Sequence, residues 1–222
     1  MIWVVLATYN EADNIARVVG PLYRYQVVVV DGGSTDGTPD RVRPYTHVTL
    51  LQKPPGCIAS AYRLGFRHAL RKRPEWVVQM DAGLTHRTMD VPDLVDCARD
   101  TRARLVVGSR FARPHPFLGL RTTISKTAAW LARRLGVRVT DATSGFRCWS
   151  PALLDRVLPH VTAQGHAFQL QALAWAWRLS GGQVEEVPIP YRLTGSHFRP
   201  AMLLEALRVY ADLLREQEAF RL

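Results

Sequence analysis

Val27-Val-Val-Val-Asp-Gly-Gly-Ser-Thr-Asp-Gly-Thr38 joins an unbroken β-branched run to a glycine-rich polar turn. Four consecutive valines show no alternation of apolar and polar positions, so the strand they form is buried on both sides, as in a parallel sheet. The chain leaves that strand at Asp31, turns on glycines, and offers Ser34, Thr35 and Asp36 as caps for a following helix. Working outward, residues 2–6 are another short β-rich run. Between the two, residues 11–23 carry Ile15, Val18, Val19 and Leu22 at helical spacing. Residues 48–51, 76–80, 105–108 and 184–191 read as further strands, and 58–70 and 90–100 as helices. Ala61, Gly65 and Ala69 form a small-residue stripe on the first of those helices. The β-α-β-α order predicts an α/β fold with a mostly parallel central sheet, helices on both faces, and ligands at the carboxyl ends of the strands.

The pattern changes after residue 110. A Pro-rich loop over 113–116 precedes a basic amphipathic helix over 122–135, with Lys126, Arg133 and Arg134 beside Trp130 and Leu131. Residues 141–149 read as a polar turn, and 151–158 and 167–179 as helices. A terminal helix over 200–218, bearing Leu203, Leu204, Leu207 and Leu214, completes a C-terminal helical region. There is no internal repeat, low-complexity tract or linker, so a single domain spans 1–222.

With 47% hydrophobic and 22% charged residues, 222 residues suffice for one packed core, which excludes a disordered or fibrous chain. Cys57, Cys97 and Cys148 are widely spaced, without CxxC or Cys/His metal spacing, which excludes a disulfide framework and points to a reducing, cytoplasmic setting. The apolar runs are too short to cross a bilayer, so the expected protein is soluble or peripheral at a membrane surface. A net charge of +10, almost all of it from arginine, draws polyanions: nucleic acid, anionic lipid head groups or phosphorylated small molecules.

Four polar segments follow strand ends, at residues 8–11, 31–38, 81–86 and 109–110. Thr8-Tyr-Asn-Glu11 together with Asp31 brings an aromatic face and two carboxylates to one crevice, suited to a base and a ribose. Asp81, ending an apolar strand, suits a divalent cation that bridges two phosphates, since Mg²⁺ takes one or two carboxylates plus phosphate oxygens. Arg110, Arg121, Ser125 and Thr143-Ser-Gly-Phe-Arg147 add cationic and polar groups on later loops. A hydroxyl acceptor needs a base and a phosphate acceptor does not. Asp141, just before the 143–147 turn, is either that base or the cap of the turn.

In order and spacing these pieces resemble family-2 glycosyltransferases of the GT-A fold, and within them the dolichyl- and polyprenyl-phosphate mannose synthases. The resemblance rests on Thr8–Glu11, Asp31–Thr38, the Ala61/Gly65/Ala69 helix, Met80-Asp-Ala82 with His86, Val107-Gly-Ser-Arg110, Asp141–Arg147 and Glu186-Val-Pro-Ile189. It implies a nucleotide-sugar-binding half at 1–110 and an acceptor-binding half at 111–222. It also implies donor contacts from Ala7, Tyr9, Glu11, Asp31, Gly33, Met80 and Asp81, with Mg²⁺ or Mn²⁺ on Asp81. Arg110, Arg121, Ser125 and Arg147 would face the donor phosphates or the acceptor, and Asp81, Arg110 and Asp141 would carry catalysis. The implied reaction is inverting hexose transfer from GDP-mannose or UDP-glucose to a polyprenyl phosphate at a membrane surface. A hydroxymethylated base in DNA is the alternative acceptor, and a non-catalytic nucleotide-sugar binder the alternative role. Four departures stand out. Gly32 and Gly83 replace acidic residues of the family pattern, Gln171 stands where many relatives carry an acid, and Arg192 lies in a shortened segment.

Overall fold

The computed structural model describes residues 1–112, 120–190 and 200–219, and side chains within 1–112, 122–190 and 204–217. The 113–116 loop, Arg192 and the Arg121 side chain lie outside them. Seven strands, β1 (Ile2–Thr8), β2 (Gln26–Asp31), β3 (Val48–Gln52), β4 (Trp76–Asp81), β5 (Leu105–Ser109), β6 (Arg147–Trp149) and β7 (Val184–Pro188), form one sheet in the order β3-β2-β1-β4-β6-β5-β7. All neighbouring pairs are parallel except those of β6, which runs antiparallel to both β4 and β5.

The valine run behaves as its lack of alternation requires. Val28 and Val30 enter the core on one sheet face with Trp3 and Val5, while Val27 and Val29 enter the other with Val4 and Leu6. The first face is covered by α3 (Ile58–Arg71), α5 (Leu120–Arg134), α6 (Pro151–Val157), α7 (Ala167–Ser180) and α8 (Pro200–Ala219); the second by α1 (Ile15–Val19), α2 (Thr38–Val42) and α4 (Val91–Thr101). The small-residue stripe on α3 serves close approach to the sheet. A methyl group on Gly65 would lie 2.5 Å from Val5 Cγ1 and 3.0 Å from Val30 Cγ2.

Three expectations are corrected. The helical pattern over 11–23 contracts to α1 plus a single 3-10 turn, Gly20–Leu22, because Pro21 lacks the amide that would extend the helix. The polar turn expected over 141–149 ends in β6, a strand too short to show periodicity. It is recognisable only because β4 and β5 pair with it on either side. The last expected strand ends at Pro188 instead of reaching residue 191.

The register fixes where chemistry can occur. Thr8 pairs with Asp31 and Ala7 with Asp81, so β1, β2 and β4 end level and their polar loops emerge side by side.

Candidate active site

A cleft of about 700 Å³ opens at that edge, walled by the loops after β1, β2 and β4, the start of α3, Arg110, Thr143–Gly145, His166 just before α7 and Gln169 in its first turn. Of the residues expected to hold a donor, Ala7, Tyr9, Glu11 and Asp81 line it. Tyr9 is 59% exposed, its ring open to a stacking partner.

The glycine-rich turn is laced to the β1 loop. Asn10, in a left-handed conformation, donates its amide to Ser34 Oγ and accepts from the Thr35 amide on Oδ1. The Glu11 amide reaches Thr38 Oγ1 and the Ala12 amide reaches Asp36 Oδ2. Asp31 organises this turn from below. Fully buried, it accepts from the Gly33 and Ser34 amides and the Ser34 hydroxyl, so its carboxylate faces its own turn and Gly32 takes the place on the cleft wall. Gly33 is required by shape: its φ is +86°, and a Cβ there would meet the Pro55 ring at 2.9 Å. Met80 is buried in the core on the second sheet face, below the cleft.

Asp81 is held by Tyr62, which sequence reading missed, and by His86, which belongs to the motif it picked out. Buried Tyr62, on α3, donates its hydroxyl to Asp81 Oδ1 at 3.0 Å and to the Met80 carbonyl at 3.2 Å. Burial pushes the Tyr62 pKa well up, and the Asp81 charge adds to this, so the phenol remains a donor. The Asp81 amide donates to His86 Nδ1, which puts the ring proton on Nε2; burial lowers the His86 pKa despite the opposing pull of Asp81. Beneath them Gln79 links Gln169 to Trp149 through buried hydrogen bonds. A polar residue interrupting the apolar face of α7 was the available signal for Gln169.

The opposite wall is built around Arg110, whose side chain is 15% exposed and lines the cleft. It donates to both oxygens of fully buried Asp141, to Thr143 Oγ1 at 2.6 Å and to Ser125 Oγ at 3.5 Å. Glu186 fixes this arrangement from β7, accepting from the Thr140 and Asp141 amides and the Thr140 hydroxyl. Burial alone would raise the Asp141 pKa, but hydrogen bonds and charge from Arg110, with the Arg110 and Thr143 amides, bring it below the ordinary carboxylate value. Asp141 and Ser125 thus stand behind the wall and Arg110 on it. Arg147 is elsewhere: in β6 it is fully buried, donates to the Ala142 carbonyl, and burial lowers its pKa to about 9. It does not line the cleft.

Among the described residues no three His, Cys, Asp or Glu side chains gather as a dedicated metal cage. Asp81, 38% exposed and on the cleft wall, fits a hard cation that keeps substrate oxygens as most of its ligands.

Residues 3–158 match the model of glycosyl transferase family 2. The chain is 34% identical to the polyprenol monophosphomannose synthase of Mycolicibacterium smegmatis, over 90% of this chain and 83% of the relative. It is 30% identical to the undecaprenyl-phosphate mannosyltransferase of Micrococcus luteus, over 84% and 82%. Among solved structures it resembles glucosyl-3-phosphoglycerate synthase from Mycobacterium tuberculosis (TM-score 0.73, 23% identity, 98% of this chain and 80% of that one). It also resembles mannosyl-3-phosphoglycerate synthase from Rubrobacter xylanophilus (TM-score 0.78, 18% identity, 99% and 75%). With the strand ends, the loops that line the cleft and the family match coinciding along one chain, the protein belongs to glycosyl transferase family 2.

Proposed function

We propose that this glycosyltransferase moves a hexose, mannose or glucose, from a nucleotide sugar to the phosphate of a polyprenyl phosphate, inverting the anomeric carbon. The observation that carries the acceptor is Arg110 on the cleft wall with both oxygens of Asp141 committed to holding it. That wall presents a cation to an anionic acceptor and keeps Asp141 from serving a hydroxyl as base. The two relatives named for polyprenol and undecaprenyl-phosphate substrates support the same class.

Ala7 and Tyr9 flank the nucleoside side of the cleft, and Asp81 stands where the diphosphate would lie. An acceptor phosphate oxygen attacks the anomeric carbon as the bond to the donor phosphate oxygen breaks, and the electron pair departs with the nucleoside diphosphate. The acceptor is already ionised, so no proton has to be removed. A divalent cation on Asp81 would neutralise charge gathering on the leaving diphosphate. The related fold of the tuberculosis enzyme was crystallised with Mn²⁺, UDP and glucosyl-3-phosphoglycerate, which supports a cation and an anionic acceptor. Arg110, oriented by Asp141 and Thr143, attracts the incoming phosphate. None of the described helices is long and apolar enough to cross a membrane. Exposed Trp130 on α5, with the Arg134 guanidinium 4.8 Å from its ring centroid, supports a peripheral position at a lipid surface.

The test is product analysis with labelled GDP-mannose and UDP-glucose, offered polyprenyl phosphate and hydroxymethylated DNA in parallel. Label in the organic extract, lost in Asp81→Ala, is expected; label in DNA would replace the acceptor, and label in neither would remove the activity.

A further inference from the structure

Gly83 poses a question the backbone does not answer. Its φ is not among the positive values that favour glycine, unlike Gly33 and Gly37, so a larger residue would suit the main chain. What glycine provides at 83 is space, and Glu11 fills it. A Cβ on residue 83 would lie 3.0 Å from Glu11 Oε1, 3.7 Å from Cδ and 3.8 Å from Oε2. The Glu11 carboxylate therefore rests against the Gly83 backbone, two residues beyond Asp81.

The sheet makes this approach possible. β1 and β4 are parallel neighbours with Ala7 opposite Asp81, so the loop carrying Glu11 runs beside the loop carrying Gly83. Glu11 is also held in place. Its amide donates to Thr38 Oγ1 at 2.8 Å, its carbonyl accepts from the Asn14 and Ile15 amides, and Asn14 Nδ2 donates to Oε2 at 2.8 Å. Oε1 has no hydrogen-bond donor among the described residues, and Glu11, Asp81 and Gly83 all line one cleft. A carboxylate fixed at a diphosphate site repels the ligand unless a cation lies between them.

We propose that Glu11 supplies the second carboxylate for the divalent cation bound by Asp81, reaching over Gly83 from the neighbouring loop. This rests on the nucleotide-sugar reading of the cleft, and moves Glu11 from the nucleoside to the cation. Hard cations of this kind accept one or two carboxylates with phosphate oxygens completing the shell, a set that Asp81, Glu11 and a diphosphate would satisfy.

The test measures binding, not turnover. Affinity for UDP and GDP is first determined in EDTA, and Mn²⁺ affinity is then titrated by electron paramagnetic resonance with the bound nucleotide saturating. Thermal midpoints confirm that each variant is folded. Glu11→Gln should weaken Mn²⁺ binding by at least about tenfold, the lower end of losses from even outer-sphere changes, while nucleotide affinity in EDTA stays within about twofold. Gly83→Asp should bring no gain, because its side chain competes with Glu11 for one space. The proposal is overturned if Glu11→Gln binds Mn²⁺ as the wild type does, or loses nucleotide equally with and without Mn²⁺. Tighter Mn²⁺ binding in Gly83→Asp would also overturn it. Nucleotide binding in EDTA without any Mn²⁺ binding would defeat the proposal and leave the donor site standing; no nucleotide binding in either condition would defeat both.

Discussion

Arg110 meets Asp141 side-on, its Nε donating to Oδ2 at 2.6 Å and its Nη2 to Oδ1 at 2.7 Å, with the carboxylate fully buried and the guanidinium at the cleft. Two parallel charge-assisted bonds restrict the plane of the guanidinium as well as its position, as a lysine there would not. Glu186 holds the Asp141 backbone in turn, so the cation on the wall is supported from β7.

Asp141→Asn should therefore cost about 3 kcal/mol of stability, because it leaves Arg110 partly buried without its counter-charge. It should lower transfer to polyprenyl phosphate although no proton is removed from that acceptor. The pH dependence has a definite sign. Asp141 has a lowered pKa in the fold, so its contribution is fully present above the unfolded value of about 4 and is lost as pH falls through the folded value. Urea denaturation from pH 3 to 7 should show a smaller acid loss in the Asn variant than in the wild type.

Tyr62→Phe removes the hydroxyl that fixes Asp81 without altering the ring stacking on Phe66 and Phe168. Stability should fall by about 1 kcal/mol. Mn²⁺-supported nucleotide binding should weaken by roughly tenfold, in the range of lost supports to a metal ligand. Nucleotide affinity in EDTA should hold, and calorimetry in both conditions separates the two effects.

Gly65→Ala sets helix propensity against packing. Alanine gains about 1 kcal/mol in a helix interior, whereas an extra methyl 2.5 Å from Val5 Cγ1 costs roughly 1–3 kcal/mol in a close-packed core. Packing should win, lowering the denaturant midpoint, and Gly65→Val should lower it further. A rise in the alanine variant would show that α3 can move off the sheet at little cost.

Glu205 ties α8 to the loop that leads into the cleft, accepting from the Gln164 and Gly165 amides at 2.8 and 2.7 Å. Gln164 in turn accepts from the Ala59 amide near the start of α3, and His166 lines the cleft. Glu205→Ala should accelerate hydrogen exchange at those two amides and cost about 1 kcal/mol. Unchanged exchange would mean that Arg63, Gln171 and the bonds from Ala59 and Cys57 to Gln164 hold the loop without Glu205.

Much of the fold was legible because two-sided burial imposes a local requirement. A strand between two helical layers must be apolar at consecutive positions, and residues 27–30 satisfy it without reference to the rest of the chain. The loops at 8–11 and 81–86 were legible for a related reason, since polar residues directly after such strands mark the sheet edge where a ligand can reach them. Tyr62 was not legible, because a tyrosine on an apolar helix face has the pattern of core packing and its hydroxyl partner is 19 residues away.

The sequence by itself determined the α/β architecture, the cleft edge and the family, because these follow from residue type and order along a strand or turn. Tertiary structure decided which polar groups face the cleft. Asp31 and Asp141 turned inward to their own loop and to Arg110, Arg147 went into the core, and Glu11 came to rest against Gly83. The physical reason is that a side chain's direction is settled by its partners, within its own turn for Asp31 and from distant parts of the chain for Asp141. A buried carboxylate goes where donors and counter-charge offset its desolvation most fully, whereas the buried Arg147 guanidinium keeps the Ala142 carbonyl and has no hydrogen-bond partner for Nε and Nη1 among the described residues.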